Sequence, residues 1–228
     1  NSAPHAFPDV ELALKQPNGL LAVGGDLGEQ RLLCAYVRGI FPWFSEGQPI
    51  LWWAPNPRTV IFPDEVKVRR SLRKVLRRKI FDIRVDQAFS DVIRACAAPR
   101  SKQNDTWITN DMVRAYEKLH ELGYAHSIEA WRDGILVGGL YGVAIGRVFF
   151  GESMFSRETD ASKTALIHLC ALEFDLIDCQ LPSGHIHSMG GRDLPRYEFT
   201  ALLADSCGLR PTPSVLGPAV PQKNCSSP

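Results

Sequence analysis

The chain has 228 residues, 45% of them hydrophobic, which is enough apolar side chain for one large packed domain or two small ones. No window approaches the roughly 18 consecutive apolar residues of a membrane span, and no signal-peptide apolar block is visible. We therefore expect a cytoplasmic protein without a membrane segment. Six scattered cysteines without a C-x-x-C pair are expected to be reduced thiols, and a zinc site is not expected.

The charge is unevenly distributed along the chain. The formal net charge is only +1, yet residues 67–79 hold eight of the 26 basic residues and no acidic residue. Such asymmetry indicates a polyanionic partner that contacts one face of the protein.

Residues 1–62 are rich in Pro, Gly and aromatic side chains. Pro17-Asn18-Gly19 predicts a turn, residues 20–23 a short strand, and residues 32–37 a helix that ends near Gly39, since Gly supplies the left-handed cap. Aromatic rings crowd residues 40–55 between prolines. They either form core or present ring faces on which a base can stack.

Residues 67–79 predict an amphipathic basic helix, because Val68, Leu72, Val75 and Leu76 are spaced as one narrow apolar stripe. The helix could be a solvated surface helix or could lie on anionic lipid. Phosphate binding is favoured over both, because the stripe is too thin for stable insertion and no lipid-anchor motif accompanies it. A nucleic acid is the expected partner.

The rest of the chain alternates strand and helix patterns, which predicts an α+β fold. Thr109 or Asn110 is expected to cap the second of these helices and Asp160 the third, while residues 207–228 are expected to form a loose tail. The predicted elements are a strand at 81–85, a helix at 87–97, a polar loop at 99–105, a helix from 110 to Gly123, a hairpin of 126–131 and 135–141, a strand at 147–151, a helix at 160–170 and a strand at 174–179.

Two polar clusters stand out among these apolar runs. Glu152 lies between Phe149-Phe150 and Met154-Phe155, where an unpaired carboxylate is costly, so we expect a cation from Arg157 or from a substrate. Asp178 and Gln180 share one face of the last strand by its period of two. They either satisfy a loop backbone or face a substrate. His185 and His187 lack a third ligand of suitable spacing, so no metal is expected.

At these residues the chain resembles the bacterial leucyl/phenylalanyl-tRNA protein transferase family. The matching motifs occur in one order along most of the chain. They are Pro-Asn-Gly-Leu-Leu-Ala at 17–22, Gly-Gly-Asp-Leu at 24–27, Arg-Gly-Ile-Phe-Pro-Trp-Phe at 38–44, Ile-Leu-Trp-Trp at 50–53, Thr-Trp-Ile-Thr at 106–109, Leu-His-Glu-Leu-Gly at 119–123, His-Ser at 126–127, Gly-Glu-Ser-Met-Phe-Ser at 151–156, Ala-Ser-Lys-Thr-Ala-Leu at 161–166 and Ile-Asp-Cys-Gln at 177–180.

The resemblance implies a small N-terminal α/β domain at 1–62, a catalytic domain of acetyltransferase-like (GNAT-like) fold with a mixed sheet at 63–206, and a proline-rich tail at 207–228. It implies an aminoacyltransferase that moves Leu or Phe from charged tRNA to the N-terminal amine of proteins beginning with Arg or Lys. The product is marked for degradation by the N-end rule pathway. No cofactor is implied, and a monomer is expected.

The resemblance also implies roles for single residues. Gln180, polarised by Asp178, would assist the amine, although an amide is a poor base and we favour positioning as its role. Glu152 would hold the cationic end of the acceptor. Trp43, Trp107 and Tyr36 would stack on the terminal adenosine. Leu140, Phe149, Met154 and Ile177 would line the pocket for the donor side chain. Arg69, Arg70, Arg73, Arg77 and Arg78 would bind acceptor-stem phosphates.

One segment departs from the family pattern. Residues 170–175 join helix to strand without a Gly or turn residue, so either the helix is truncated or residues are missing there, and we expect the latter. Two other functions remain open. An acyl-coenzyme A N-acetyltransferase would need a Gly-rich pyrophosphate loop that opens a helix, whereas residues 156–162 offer Arg-Glu-Thr-Asp instead. A non-catalytic tRNA-binding or degron-reading module would use the same basic helix and Glu152.

Overall fold

The computed structural model describes residues 6–98 and 107–208. The predicted polar loop and residues 209–228 of the predicted tail lie outside these ranges. The described residues form two β-sheets with helices packed against them, a mixed α+β arrangement that confirms the predicted fold class. None of the described helices is long and apolar enough to cross a membrane.

The smaller sheet is antiparallel and has the order β1-β3-β2. The larger sheet has the order β10-β4-β9-β8-β7-β6-β5. Their strands are β1 Leu20–Val23, β2 Phe41–Pro42, β3 Leu51–Trp53, β4 Arg58–Ile61, β5 Asp82–Val85, β6 Ala125–Arg132, β7 Ile135–Ile145, β8 Val148–Ser156, β9 Leu176–Asp178 and β10 Arg192–Leu194. Every pair in the larger sheet is antiparallel except β8 and β9.

The helices cover both faces of the larger sheet and the edge of the smaller one. Short 3₁₀ turns lie at Val10–Leu12 and Pro63–Glu65. The helices are α1 Glu29–Tyr36, α2 Arg70–Arg77, α3 Phe89–Ala97, α4 Asn110–Glu121, α5 Ala161–Cys170, α6 Gly184–Ser188 and α7 Arg196–Gly208. Helix α5 joins the two parallel strands, since a parallel pair needs a crossover connection.

Local sequence explains several helix ends. Gly39 has φ +74°, and its predicted role in ending α1 is confirmed by the bond from Ile40 N–H to the Ala35 carbonyl. Thr109 caps α4 by accepting a hydrogen bond from Met112 N–H. Asp160 precedes α5 as predicted, but its side chain forms no capping bond and instead pairs with a lysine of the first turn.

The connection after α5 is made without a Gly or a left-handed residue, so the argument for missing residues does not hold, and the absence of residues itself stays a prediction. Residues 171–175 complete the turn, and none of them has a positive φ. Ala171 continues the helical backbone, and Asp175 N–H then donates to the carbonyl of Arg147. Because this long-range bond redirects the chain, a left-handed residue is not needed.

The structure also bears on the predicted state of the cysteines. Cys170 and Cys179 are free thiols, but Cys34 is disulfide-bonded, so the expectation of six reduced thiols is wrong at that position.

Strand β4 belongs to the larger sheet. The division predicted at residues 62 and 63 stays a prediction, and it would assign this strand to the smaller unit.

The core consists mainly of two clusters on opposite faces of the larger sheet. One contains Tyr36 and Trp52 together with Tyr116 and Phe150, so it joins the smaller sheet and α1 to the larger sheet. The other lies between the sheet and helices α2 and α5. The parallel pair β8 and β9 therefore separates two buried compartments.

Candidate active site

The two parallel strands separate at the point where Glu152 lies. Strand β9 ends at Asp178, which pairs with Phe150, while β8 continues to Ser156. Glu152 is the extra residue of a β-bulge, since Gly142 pairs with Gly151 and Tyr141 with Ser153. A Cβ on Gly142 would lie 2.2 Å from a backbone oxygen of β8, so only Gly fits opposite the bulge.

Neutral donors surround the Glu152 carboxylate, which is 7% exposed. Tyr36 Oη donates to Oε1 over 2.8 Å, Tyr116 Oη donates to Oε2 over 3.0 Å, and Gln180 Nε2 donates to Oε1 over 2.9 Å. The expected pairing of Glu152 with Arg157 is therefore wrong, and a cation supplied by a substrate stays a prediction. Arg157 instead stacks over an aromatic ring and donates to a backbone carbonyl.

Burial raises the pKa of Glu152 from its ordinary value of 4.5 to about 7. The hydroxyls of Tyr36 and Tyr116 and the charge of Arg58 oppose this rise, while Asp178 adds to it. Desolvation, followed by the charge of Glu152, raises the pKa of both tyrosines well above its ordinary value. The tyrosines therefore remain neutral donors, and Glu152 exchanges its proton near neutral pH.

Asp178 is fully buried and forms an ion pair with Arg58. Arg58 Nε and Nη2 donate to the two carboxylate oxygens over 2.8 and 2.6 Å. Oδ1 also accepts the backbone N–H of Gln180 over 2.9 Å. The expected polarisation of the Gln180 side chain by Asp178 is wrong, because the contact is with the backbone of Gln180.

Gln180 lies beyond the end of β9 and has φ +63°. Its side chain thus reaches Glu152 through a left-handed turn and not through a shared strand face, which corrects the period-of-two expectation. The residue is half-buried. With Nε2 donating to Glu152, the amide oxygen Oε1 is left to accept a hydrogen bond.

The four residues predicted for the donor pocket lie in one cluster beneath α5. Leu140, Phe149 and Ile177 are buried and Met154 is partly buried, all in the same apolar compartment. Phe149 packs edge-on against Phe174 at 5.5 Å between ring centroids. The structure thus brings these four side chains together on the sheet face behind the Glu152 bulge.

The three residues predicted to stack on adenosine are placed differently from one another. Trp43 is 39% exposed and its ring lies 5.7 Å from that of Trp53, while Trp107 is half-buried. Tyr36 is fully buried against Phe150. A stacking role for Tyr36 is therefore contradicted, because no face of its ring is open.

The predicted basic helix is confirmed as α2, where Leu72 is buried and the remaining apolar stripe packs on the core beneath α5. The basic side chains point away from this stripe. All five predicted phosphate-binding arginines are exposed, and no ion pair with a described residue involves Arg69, Arg70, Arg73, Arg77 or Arg78.

Two site residues escaped the sequence analysis. Arg58 is the only charged residue of β4, which continues with Thr59, Val60 and Ile61, and a lone charge in a buried strand is a usable indication of an ion pair. Tyr116 shares the buried side of α4 with Met112 and Leu119. Its position indicates core, and only the tertiary contact with Glu152 shows its polar role. His187, considered as a metal ligand, pairs with Asp193 at 2.9 Å.

The chain is similar to known proteins over most of its length. Residues 60–204 match the model of the leucyl/phenylalanyl-tRNA protein transferase family, and residues 25–56 match that of its N-terminal domain. Leucyl/phenylalanyl-tRNA protein transferases from Nitrosospira multiformis and Thiobacillus denitrificans are 58% and 59% identical over 208 and 216 residues. These alignments cover 90% of both chains in the first case and 93% in the second. The Pseudomonas syringae relative is 57% identical over 202 residues, covering 87% of this chain and 88% of the relative.

The fold and these similarities define an enzyme of the aminoacyltransferase class. The chain belongs to the leucyl/phenylalanyl-tRNA protein transferase family, with both parts of the family's architecture matched.

Proposed function

We propose that this enzyme transfers Leu or Phe from its charged tRNA to the N-terminal amine of proteins that begin with Arg or Lys, which marks those proteins for N-end rule degradation in the cytoplasm. One observation carries the site assignment. The half-buried amide of Gln180 lies against the buried Glu152 carboxylate where β8 and β9 separate. A crevice at the carboxyl end of a parallel strand is a common place for a substrate.

The donor tRNA would bind along α2. The exposed arginines of this helix face solvent without acidic neighbours in residues 67–79, so they can neutralise backbone phosphates without reading sequence. Trp43 and Trp107 keep accessible surface on which the terminal adenosine can stack. Tyr36 has no part in this stacking.

The donor side chain would enter the apolar cluster that contains Leu140, Phe149, Met154 and Ile177. These side chains form a packed apolar cluster that offers dispersion contacts and no hydrogen-bonding requirement, and the cluster would have to open to admit the donor side chain. Met and Phe side chains adapt to ligands of different shape, which suits both Leu and Phe. A β-branched donor side chain would fit less well against the buried ring of Phe149, because a β-branched side chain is widest next to its own backbone.

The chemistry requires little beyond positioning. An aminoacyl ester is already activated. The neutral amine attacks the ester carbonyl, the bond from that carbon to the tRNA 3′-oxygen breaks, and the proton released by the amine passes to the departing tRNA hydroxyl, so the site must orient the amine and stabilise a tetrahedral oxyanion. Gln180 Oε1 can accept a hydrogen bond from the amine, because Nε2 is committed to Glu152. A protein α-amine has a pKa of about 7.7 to 8.0, so part of it is neutral at cellular pH.

Glu152 would favour cationic acceptors through its field and not through direct contact. Its oxygens already accept bonds from two tyrosines and Gln180, and only 7% of the residue is exposed. Asp178 is balanced by Arg58, which leaves Glu152 as the unbalanced negative charge of the site when it is ionised. A positive side chain or amine approaching the crevice is stabilised by that charge.

The test is direct. The protein is incubated with Phe-charged tRNA carrying labelled phenylalanine and with a peptide that begins with Arg. We expect labelled peptide to form, and a matched peptide beginning with Asp to remain unlabelled. Binding of the tRNA without transfer would refute the catalytic assignment and favour a non-catalytic tRNA-binding module. Acetyl transfer from coenzyme A to the same peptide would favour the other alternative.

A further inference from the structure

Arg58 is a fully buried guanidinium that is paired with a buried carboxylate. The residue is 1% exposed, and its partner Asp178 is 0% exposed. A buried charge is costly unless its hydrogen-bonding groups are matched. Here Nε and Nη2 bind the two oxygens of Asp178, and Nη1 donates to the carbonyl of Gly39 over 3.0 Å.

Two aromatic rings pack against the same guanidinium. Arg58 Cζ lies 4.7 Å from the centroid of the Phe41 ring and 4.8 Å from that of the Phe199 ring. A planar guanidinium suits such a stack, whereas an ammonium does not. A Cβ on Gly39 would lie 2.9 Å from the Phe199 ring, so Gly lets this part of the chain close over Arg58. The plane of the guanidinium is thus set by contacts from β2, β9 and α7.

The fixed guanidinium in turn fixes Asp178. Asp178 Oδ1 accepts bonds from both Arg58 Nε and the backbone N–H of Gln180. Gln180 has φ +63°, a left-handed conformation that a residue with a Cβ adopts rarely. The bond to Asp178 stabilises that conformation, and the conformation places Gln180 Nε2 within 2.9 Å of Glu152.

We propose that Arg58 is a positioning residue of the transfer reaction. Through Asp178 it holds the left-handed backbone of Gln180 and so aims the Gln180 amide at the acceptor amine. The inference rests on the proposed function for its catalytic consequence. It assigns Asp178 to holding the backbone of Gln180, since Arg58 occupies both of its oxygens.

The first experiment replaces Arg58 by Lys, which keeps the charge and loses the planar fork. We expect kcat for phenylalanine transfer to fall about tenfold to a hundredfold, as a small misplacement of a catalytic group can do. We expect KM for the charged tRNA to change less than about twofold. The matched control is Arg192→Lys, because Arg192 also stacks on a ring, Phe62, at 4.7 Å and pairs with Glu65, but is exposed. Its kcat should be unchanged.

The second experiment separates positioning from general destabilisation. If Arg58 acts through Gln180, Arg58→Lys should lower kcat by less than about twofold in a Gln180→Ala background. An equal fall in both backgrounds overturns the proposal, as does a rise in KM with kcat preserved. If Arg58→Lys does not fold, Phe199→Leu removes one ring from the guanidinium, and the same two-background comparison applies.

A third measurement does not depend on transfer. The backbone amide of Gln180 should exchange slowly with solvent deuterium in the wild type and in Arg192→Lys, and at least tenfold faster in Arg58→Lys. If the wild type transfers no phenylalanine, the proposed function fails, and the exchange alone decides whether Arg58 holds Gln180. Retained protection in Arg58→Lys overturns the positioning role.

Discussion

Replacing Glu152 by Gln tests the electrostatics of the site most directly. Gln has the shape of a protonated Glu and cannot ionise. The folded-state pKa of Glu152 is about 7 against an ordinary 4.5, so the native state binds more protons than the unfolded state between these values. Stability contributed by this proton is present below about pH 4.5 and is lost as the pH rises through 7. A difference of roughly 2.5 in pKa corresponds to about 3 kcal/mol.

The assay is urea unfolding at a series of pH values from 5 to 8.5. We expect the free energy of unfolding of Glu152→Gln, relative to the wild type, to increase by about 2 to 3 kcal/mol across this range. The control is Glu46→Gln, which changes an exposed carboxylate and should leave the pH dependence as it is. A difference that does not vary with pH would show that Glu152 stays ionised in the folded protein, and the account of its burial would fail.

Three further variants test the other parts of the site. Gln180→Ala should lower transfer by at least about tenfold to a hundredfold, no less than Arg58→Lys does, with little change in tRNA affinity as measured by filter binding; a collapse of affinity would contradict the division of roles. Arg73→Glu combined with Arg77→Glu should weaken tRNA binding and flatten its dependence on salt concentration, and unchanged salt dependence would exclude α2 as the phosphate-binding face. Gly142→Ala should destabilise the fold by about 1 to 3 kcal/mol in thermal unfolding, whereas Gly184→Ala, which has open space around it, should not.

The secondary structure was largely predictable because its determinants are local. The apolar spacing of α2 and the left-handed Gly39 at the end of α1 both appear in the structure as predicted. The failures came from long-range contacts. The turn after α5 needs no Gly, because the backbone N–H of Asp175 donates to the carbonyl of Arg147. The side chain of Asp160 was predicted to cap α5, but it forms an ion pair with Lys163 instead.

Within the site, the residue types showed which side chains were candidates for function, but they did not show which groups those side chains contact. Glu152 stood out as a carboxylate among apolar residues, yet its partners are Tyr36 and Tyr116, which are remote in sequence. Side-chain alternation placed Asp178 and Gln180 on one face, but the strand ends between them. A bulge or a left-handed turn depends on which strand lies opposite, and that cannot be read from periodicity alone.

The amino-acid sequence by itself determined the α+β class, the basic face of α2 and the membership of a transferase family, because each depends on residue order and local spacing. Only the tertiary structure showed that Tyr36 donates a hydrogen bond to Glu152, although the sequence predicted that Tyr36 stacks on a base. It also showed that Arg58 forms an ion pair with Asp178. The physical reason is burial. Removing a charge from water is unfavourable unless other groups form hydrogen bonds with it. The fold brings those groups within hydrogen-bonding distance from distant parts of the chain.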